Sequence, residues 1–281
     1  AELWTPPRLR TREWMFIPFG GGTPIRHKAF SDMNDVRRFI CERPQHSCFY
    51  STAYWKKPHE LKMADKDWLG ADLIFDLDGD HLPGVTDKDF PAMIEVIQEQ
   101  AWSLWNDFLV ADFGFKEEYL QVTFSGHRGF HLHYRDPKFF HLNSESRREL
   151  VSHIRGEGVE VADLMDRSRN PNSKGWARRV GLGISSVVEK LGQINSGDNK
   201  LLKTMTAEVK EMLIREGKKG HRGKASVEKL AELMGDKGRK ERVLSGNLRG
   251  LNNYGQLFKD LIRADTSVVL GNAGETDEVV T

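Results

Sequence analysis

Hydrophobic residues along the chain follow two different spacings. Alternating or aromatic stretches, typical of β-strands, occur at residues 13–30, 49–55, 73–80 and 120–135. Apolar residues at the three- and four-residue spacing of an amphipathic helix occur at residues 32–40, 90–108 and 147–154. Ser31 occupies the position of an N-cap for the first of these helices.

The pattern of hydrophobic and charged residues changes near Ser185. From there to Ile262 strand signals disappear and charged helical patterns take over, including residues 207–214 and 227–234, whereas residues 266–270 regain strand character. We therefore predict an α/β fold of the α+β kind. Its expected parts are a first unit over residues 1–184, a helical insertion over residues 185–262, and a return to the first unit over residues 263–281.

Composition narrows the class of protein. Of the 281 residues, 38% are hydrophobic and 30% are charged, which is the balance of a folded chain. No apolar run approaches the roughly 20 residues that span a bilayer, and the N-terminus lacks the apolar stretch of a signal peptide. The 2 cysteines are too few for a disulfide framework. We expect an intracellular, soluble protein. Its net charge of +1 argues neither for nor against nucleic-acid binding, so any basic surface that binds nucleic acid must be confined to one part of the protein.

The acidic strand is the most informative segment. Strand alternation directs Leu73, Phe75 and Leu77 to one face and sets Asp76 and Asp78 side by side on the other. Two adjacent carboxylates repel each other unless a cation lies between them. Hard oxygen ligands suit Mg²⁺ or Mn²⁺. Two such ions about 4 Å apart can activate a 3′-hydroxyl and stabilise a leaving pyrophosphate.

A solvated strand end is the alternative interpretation of the same residues. Asp78, Gly79 and Asp80 would then form an ordinary turn. Asp72 and Asp80 share the alternation of the acidic pair, but Asp72 comes early and Asp80 follows a glycine that is expected to end the strand. The candidate metal ligands are therefore Asp76 and Asp78.

A second candidate site is the turn between the two strands of residues 120–135. Its glycines allow the backbone to approach a ligand. Ser125 offers a hydroxyl, and Arg128 offers a guanidinium that matches phosphate oxygens. This turn is suited to cradle a triphosphate.

Two other interpretations of the same turn stay open. It could be a hairpin whose polar turn faces water. His131 and His133, which share the polar face of the returning strand, could bind a transition metal. Neighbouring cysteine or carboxylate ligands are not evident in the sequence, which favours phosphate binding.

Together these motifs resemble the small-subunit family of archaeal and eukaryotic primases. The resemblance rests on Asp-Leu-Asp within Phe75–Asp78 and on Ser-Gly-x-Arg-Gly-x-His at Ser125–His131. The flanking segments Arg12–Trp14 and Trp68–Asp72 agree as well. The resemblance covers most of residues 10–160 and weakens across the helical insertion.

Fold and site residues follow from this resemblance. It implies the archaeo-eukaryotic primase catalytic core, an α/β core related to a ferredoxin-like unit, with a helical insertion. Asp76 and Asp78 would hold the catalytic metals. The residues implied at the incoming nucleotide are Ser125, His127, Arg128, His131, Glu13 and Arg26.

The resemblance also implies an activity. It is the template-directed synthesis of short RNA primers from nucleoside triphosphates during DNA replication, with DNA strands as an alternative product. The enzyme would be a nucleotidyltransferase, a DNA-directed RNA polymerase of the primase type, with Mg²⁺ or Mn²⁺ as cofactor. Its partners would be a primase large subunit in a heterodimer and a single-stranded DNA template. It would work in the cytoplasm, at nucleoid-associated replication sites.

The chain departs from the family in two places. Many relatives carry a Cys/His zinc module soon after the acidic strand, but residues 81–120 contain no cysteine, so zinc is not expected. Cys41, His46 and Cys48 lack an evident fourth ligand. The family's third motif supplies another catalytic Asp after a segment like residues 274–281. We therefore expect the chain to stop just before that Asp and to be inactive alone.

Two alternatives to a working primase remain. One is a non-catalytic fragment that binds nucleotide or template. The other is a different metal-dependent phosphotransferase or phosphodiesterase built around Asp76, Asp78 and His131.

Two basic stretches lie outside these motifs. The glycine-rich loop Lys218–Lys224 could touch a nucleic-acid backbone, although such loops are more often simply solvated. Arg178 and Arg179, with Arg167 and Arg169 nearby, could face template or nucleotide or cap a helix.

Overall fold

Three small antiparallel sheets occupy the first half of the chain, and helices pack together in the second. The computed structural model describes residues 4–78, 89–126, 129–170, 172–218 and 223–266. The strands are β1 (Trp14–Pro18), β2 (Ile25–Lys28), β3 (Gln45–Tyr50), β4 (Ala53–Trp55), β5 (Trp68–Ala71), β6 (Leu73–Asp78), β7 (Leu120–Phe124) and β8 (Gly129–Tyr134). This mixed architecture confirms the predicted α+β class.

Ten α-helices complete the described structure. They are α1 (Met33–Glu42), α2 (Phe90–Ser103), α3 (Ala111–Phe113), α4 (Ser144–Arg155), α5 (Val161–Ser168), α6 (Gly175–Asn195), α7 (Asn199–Arg215), α8 (Lys224–Met234), α9 (Lys237–Leu244) and α10 (Gly255–Thr266). In the described ranges, none of them combines the length and the apolar character needed to cross a membrane.

Within each sheet, all neighbouring strands are antiparallel. Their strand orders are β2-β1-β3, β4-β5 and β6-β8-β7. In the third sheet β8 lies in the middle, so the acidic strand β6 is paired with the strand that follows the glycine-containing turn. The two motifs singled out in the sequence are therefore neighbours in space.

The third sheet buries one face against helix α2. Leu73, Phe75 and Leu77 of β6 belong to the same hydrophobic core as Met93 and Ile97 of α2. Because successive side chains of a strand point to opposite faces, the polar residues of β6 lie on the face away from this helix. The third sheet therefore has one face buried against α2 and one polar face that a ligand can reach.

Helix α2 continues beyond Ser103 in a wider geometry than the sequence predicted. Residues Leu104–Val110 form a π-helix, and α3 follows directly. Two adjacent apolar pairs, Leu104–Trp105 and Phe108–Leu109, are all buried. A wider turn allows both members of each pair to reach the core, which a regular 3.6-residue turn does less well.

The N-cap of α1 is Asp32, and the prediction of Ser31 was wrong by one residue. The Asp32 carboxylate accepts hydrogen bonds from the N–H groups of Asn34 at 2.8 Å and Asp35 at 3.1 Å. These donors are among the first N–H groups of a helix, which have no partner within the helix. One carboxylate therefore satisfies two of them.

Helices α5 to α10 share one hydrophobic core, which includes Val180, Leu191, Val227 and Phe258. The helices predicted at residues 207–214 and 227–234 are confirmed within α7 and α8. Helix α6 continues without a break through the expected boundary at residue 185, so the predicted division into domains stays a prediction.

The predicted strand at residues 266–270 is wrong for Thr266, which lies in the last turn of α10. Its hydroxyl donates to the Ile262 carbonyl at 2.7 Å, a bond from one helical turn to the previous one. Residues 267–281 lie outside the described residues, and the predicted return to the first unit is untested there.

Candidate active site

Asp76 and Asp78 project from the polar face of β6. Leu77 between them and Phe75 before them are buried in the core, whereas both carboxylates are half-buried. The alternation predicted from the sequence is confirmed, and it sets the two acidic side chains on one face. Asp80 lies outside the described residues.

Strand β8 places His131 directly opposite Asp76. The two residues pair in antiparallel register, and His131 Nε2 lies 3.2 Å from Asp76 Oδ1. Burial raises the pKa of Asp76 above its ordinary value, His131 counteracts this effect, and the neighbouring Asp78 carboxylate adds to it. A cation bound beside the pair would relieve this crowding of negative charge.

Ser125 and Gly129 close the turn between β7 and β8. The Gly129 N–H donates to the Ser125 hydroxyl oxygen at 2.9 Å, and the Ser125 N–H donates to the Gly129 carbonyl at 2.9 Å. Gly126 between them has a φ of +85°, which favours glycine. His127 and Arg128 lie outside the described residues, so their nucleotide-binding roles stay predictions.

Gly129 has a further role that its sequence context does not reveal. It pairs in register with Asp78, and a Cβ atom at this position would clash with the Leu77 carbonyl oxygen. Only a glycine lets β8 come this close to the backbone of the acidic strand. The residue therefore allows the acidic strand and the glycine-containing turn to lie close together. The sequence suggests a different role for this glycine, in which the backbone comes close to a ligand.

His133 lies on the same face of the sheet as His131, two residues further along β8. Its Nε2 is 3.3 Å from the Thr123 hydroxyl, and its Nδ1 is buried without a hydrogen-bond partner among the described residues. Burial lowers the pKa of His133 to about 4, with Arg135 and His131 adding to the effect. The ring is therefore neutral at physiological pH.

Asp72 shares the alternation of the acidic pair but has a different environment. It is fully buried, with Oδ2 2.8 Å from Arg12 Nη2 and 3.2 Å from Arg135 Nε, and it also accepts a hydrogen bond from the Tyr54 hydroxyl. Its oxygens already bind protein groups, which supports leaving it out of the metal ligands. The pairing with Arg12 leaves no trace in the sequence pattern, because 60 residues separate the two side chains.

Glu13 and Arg26 form an ion pair in the N-terminal sheet region, with Glu13 Oε1 3.6 Å from Arg26 Nη2. Glu13 Oε2 also lies 3.3 Å from Nζ of the fully buried Lys66, whose partnership the sequence did not indicate. Across the described residues, no hydrogen bond or ion pair joins Glu13 or Arg26 to the acidic strand β6. Their position near the nucleotide stays a prediction.

The donor atoms on the polar face of β6 are those that hard divalent cations prefer, since Asp76 and Asp78 offer carboxylate oxygens. Over the part of the chain that the structure describes, no group of three or more His, Cys, Asp or Glu side chains has the arrangement of a metal site. Cys41 and Cys48 are free and exposed thiols. Binding of Mg²⁺ or Mn²⁺ stays a prediction, as does the expectation about zinc.

Comparison with known proteins agrees with these motifs. The sequence model of the DNA primase small subunit family matches residues 75–270, more than half of the chain. The chain is 33% identical to the DNA primase small subunit of Methanocella arvoryzae, over 100% of this chain and 73% of that protein. It is 36% identical to the small subunit of Halobacterium salinarum, over 73% of this chain and 56% of that protein.

A third relative supports the same assignment. The DNA primase small subunit of Methanothrix thermoacetophila is 31% identical over 100% of this chain and 73% of its own length. The matched segment includes Asp76 and Asp78 of β6 and His131 of β8. The chain therefore belongs to the DNA primase small subunit family.

Proposed function

We propose that this chain carries the nucleotidyl-transfer site of a primase, which builds short primers on a DNA template from nucleoside triphosphates. The observation that carries the proposal is the pair Asp76 and Asp78 on one open face of β6, with His131 opposite Asp76. Ribonucleotides are the proposed substrates, and deoxyribonucleotides are the alternative that the assay below can test. Membership of the primase small subunit family supports this function.

The residues present fit a divalent cation. Two carboxylates on adjacent outward positions, partly desolvated and mutually repelling, match the preference of Mg²⁺ and Mn²⁺ for charged oxygen ligands. Mg²⁺ is commonly held by one or two carboxylates, with water and substrate phosphates completing its shell. When bound, such ions would supply charge stabilisation for an attacking 3′-hydroxyl and a leaving pyrophosphate.

The protein groups would orient and neutralise the triphosphate. His131 is half-exposed beside Asp76 and can donate a hydrogen bond to a phosphate oxygen when Nε2 carries a proton. The turn that Ser125 and Gly129 close would present His127 and Arg128 to the same phosphates. Charge-assisted bonds of this kind become stronger where water is excluded.

Membership of the family supports a proposal about the partners and location of the enzyme. Its relatives are named as small subunits, and we propose that the chain pairs with a primase large subunit on single-stranded DNA. We also propose that it works in the cytoplasm, at replication sites of the nucleoid.

Template-directed primer synthesis with Mg²⁺ or Mn²⁺ tests the proposal. The protein should be assayed as this chain and in a form extended to the length of the Methanocella relative. In the active form, Asp76→Ala and Asp78→Ala should each lower the rate by at least about 100-fold, because a charge that stabilises the transition state is lost. Asp166→Asn, at a highly exposed carboxylate on α5, is the matched control and should leave the rate unchanged.

Three outcomes would count against the proposal. Full activity of Asp76→Ala would exclude the carboxylate pair as the reaction centre. Nucleotide or template binding without primer synthesis in either form would indicate a binding protein. Hydrolysis of a phosphate ester without templated extension would indicate a different phosphotransferase or phosphodiesterase.

A further inference from the structure

A cavity of about 570 Å³ lies next to the π-helix, and neither Asp76 nor Asp78 is among its lining residues. It is bounded by the N-terminal half of α6, the end of α2 with the π-helix and α3, and the last residues of α10. None of its lining residues comes from β6, β7 or β8, and α2 packs on the opposite face of the sheet from Asp76. Ligand sites in proteins commonly have volumes of roughly 300–1,000 Å³.

One end of the cavity is positive. Lys174 and Arg178 line it, both are exposed, and among the described residues neither has an ion-pair partner. Lys174 is also the N-cap of the 21-residue helix α6 and makes no side-chain capping bond. The first turn of this helix lines the cavity through Lys174, Gly175 and Arg178, and the helix dipole adds partial positive charge there.

Arg179 gives the cavity lining a guanidinium held in a fixed position. It is 6% exposed, its Nη1 lies 2.8 Å from Asp112 Oδ2, and its guanidinium carbon lies 3.7 Å from the centre of the Phe108 ring. Its Nε is buried and has no hydrogen-bond partner among the described residues. That nitrogen has no exposed surface, so a ligand in the cavity would meet the charge of Arg179 and not this donor.

A second part of the lining is negative. Asp107 is exposed on the π-helix, and its carboxylate accepts a hydrogen bond from the Ser103 hydroxyl at 2.7 Å. The other two carboxylates of the lining are neutralised, since Asp112 pairs with Arg179 and His153, and Asp265 pairs with Lys190. Irregular π-helical turns often occur at functional sites. The cavity is therefore dipolar and does not form a uniform basic groove.

We propose that this cavity binds a nucleoside phosphate at a second site, separate from the carboxylate face. The phosphate would lie against Lys174, Arg178 and the first turn of α6, and an N–H group of the base would donate to Asp107. A polynucleotide backbone fits less well, because Asp107 would repel phosphates that continue along the cavity. The proposal does not depend on primer synthesis by the carboxylate pair.

Titration calorimetry with AMP, adenosine and inorganic phosphate, in EDTA, tests this site in the chain and in its extended form. Without divalent ions the carboxylate face should bind nucleotide poorly, so the signal reports the cavity. AMP should bind more tightly than adenosine or phosphate alone. Arg178→Glu should weaken AMP and phosphate binding by at least about tenfold, as expected for a charged hydrogen bond.

Matched variants separate the cavity from other surfaces. Asp107→Asn should weaken AMP binding and leave phosphate binding unchanged. Lys203→Glu, an exposed charge reversal on α7 away from the cavity, and Asp76→Asn should both keep wild-type affinity. The proposal is overturned if AMP does not bind at millimolar concentration, if Lys203→Glu weakens binding as much as Arg178→Glu, or if Asp76→Asn abolishes it. Lys174→Glu serves as a second reversal if Arg178→Glu alters the circular dichroism spectrum.

Discussion

Arg12 and Asp72 form a fully buried ion pair, with Arg12 Nη2 2.8 Å from Asp72 Oδ2. Asp72 directly precedes the acidic strand β6, and Arg12 lies two residues before the first strand of the N-terminal sheet. Arg12 also donates to the Ser51 carbonyl at 2.6 Å, and Arg135 reaches Asp72 from the end of β8. This network fixes the start of the acidic strand relative to two other parts of the fold.

Replacing Asp72 with Asn should lower the free energy of unfolding by about 3–5 kcal/mol, because it leaves buried arginine charge without its counter-charge. Urea unfolding of the purified variant measures the loss. Glu118→Gln, in an exposed pair with Lys116, is the control and should cost less than about 1 kcal/mol. Equal effects of the two substitutions would show that the buried network does not stabilise the fold.

Replacing Gly129 with Ala should destabilise the third sheet by about 1–3 kcal/mol, the usual cost of inserting a carbon into a packed site. The added Cβ would clash with the Leu77 carbonyl and push β8 away from the acidic strand. Gly192→Ala is the matched control, because its Cβ would meet nothing within 4 Å inside α6. That change should stabilise by about 0.4–1 kcal/mol. Thermal unfolding that ranks the two variants in the opposite order would contradict the close strand approach.

His133 should make the protein less stable in acid. Burial lowers its pKa from 6.5 to about 4, so the unfolded chain binds this proton more tightly than the folded protein does. The contribution of the neutral ring is fully present above pH 6.5 and is lost as the pH falls toward 4. Urea midpoints between pH 4 and 7 should therefore fall less steeply for His133→Gln than for the wild type. His59→Gln, at an exposed ring, should keep the wild-type slope, and an unchanged slope for His133→Gln would refute the assignment.

Local patterns predicted the elements that carry the candidate site. Period-two alternation in Leu73–Asp78 gave both the strand and the face on which Asp76 and Asp78 lie, because backbone geometry alone sets that alternation. Two differences between the sequence predictions and the structure were also local. The sequence does not distinguish a π-helix from an α-helix at Leu104–Val110, and Asp32 displaced Ser31 as the N-cap because its carboxylate reaches two donors.

The sequence by itself determined the acidic strand, the glycine-containing turn and the resemblance that the family comparison confirmed. Only the tertiary structure decided which partners these residues have. It paired Asp76 with His131, paired Asp72 with Arg12 and Arg135, and brought Arg178 and Asp107 into the lining of one cavity. The physical reason is that strand and helix periods act over a few residues, whereas ion pairs and cavities join residues tens of positions apart. Their partners depend on how separate elements pack and leave little periodic trace in the chain.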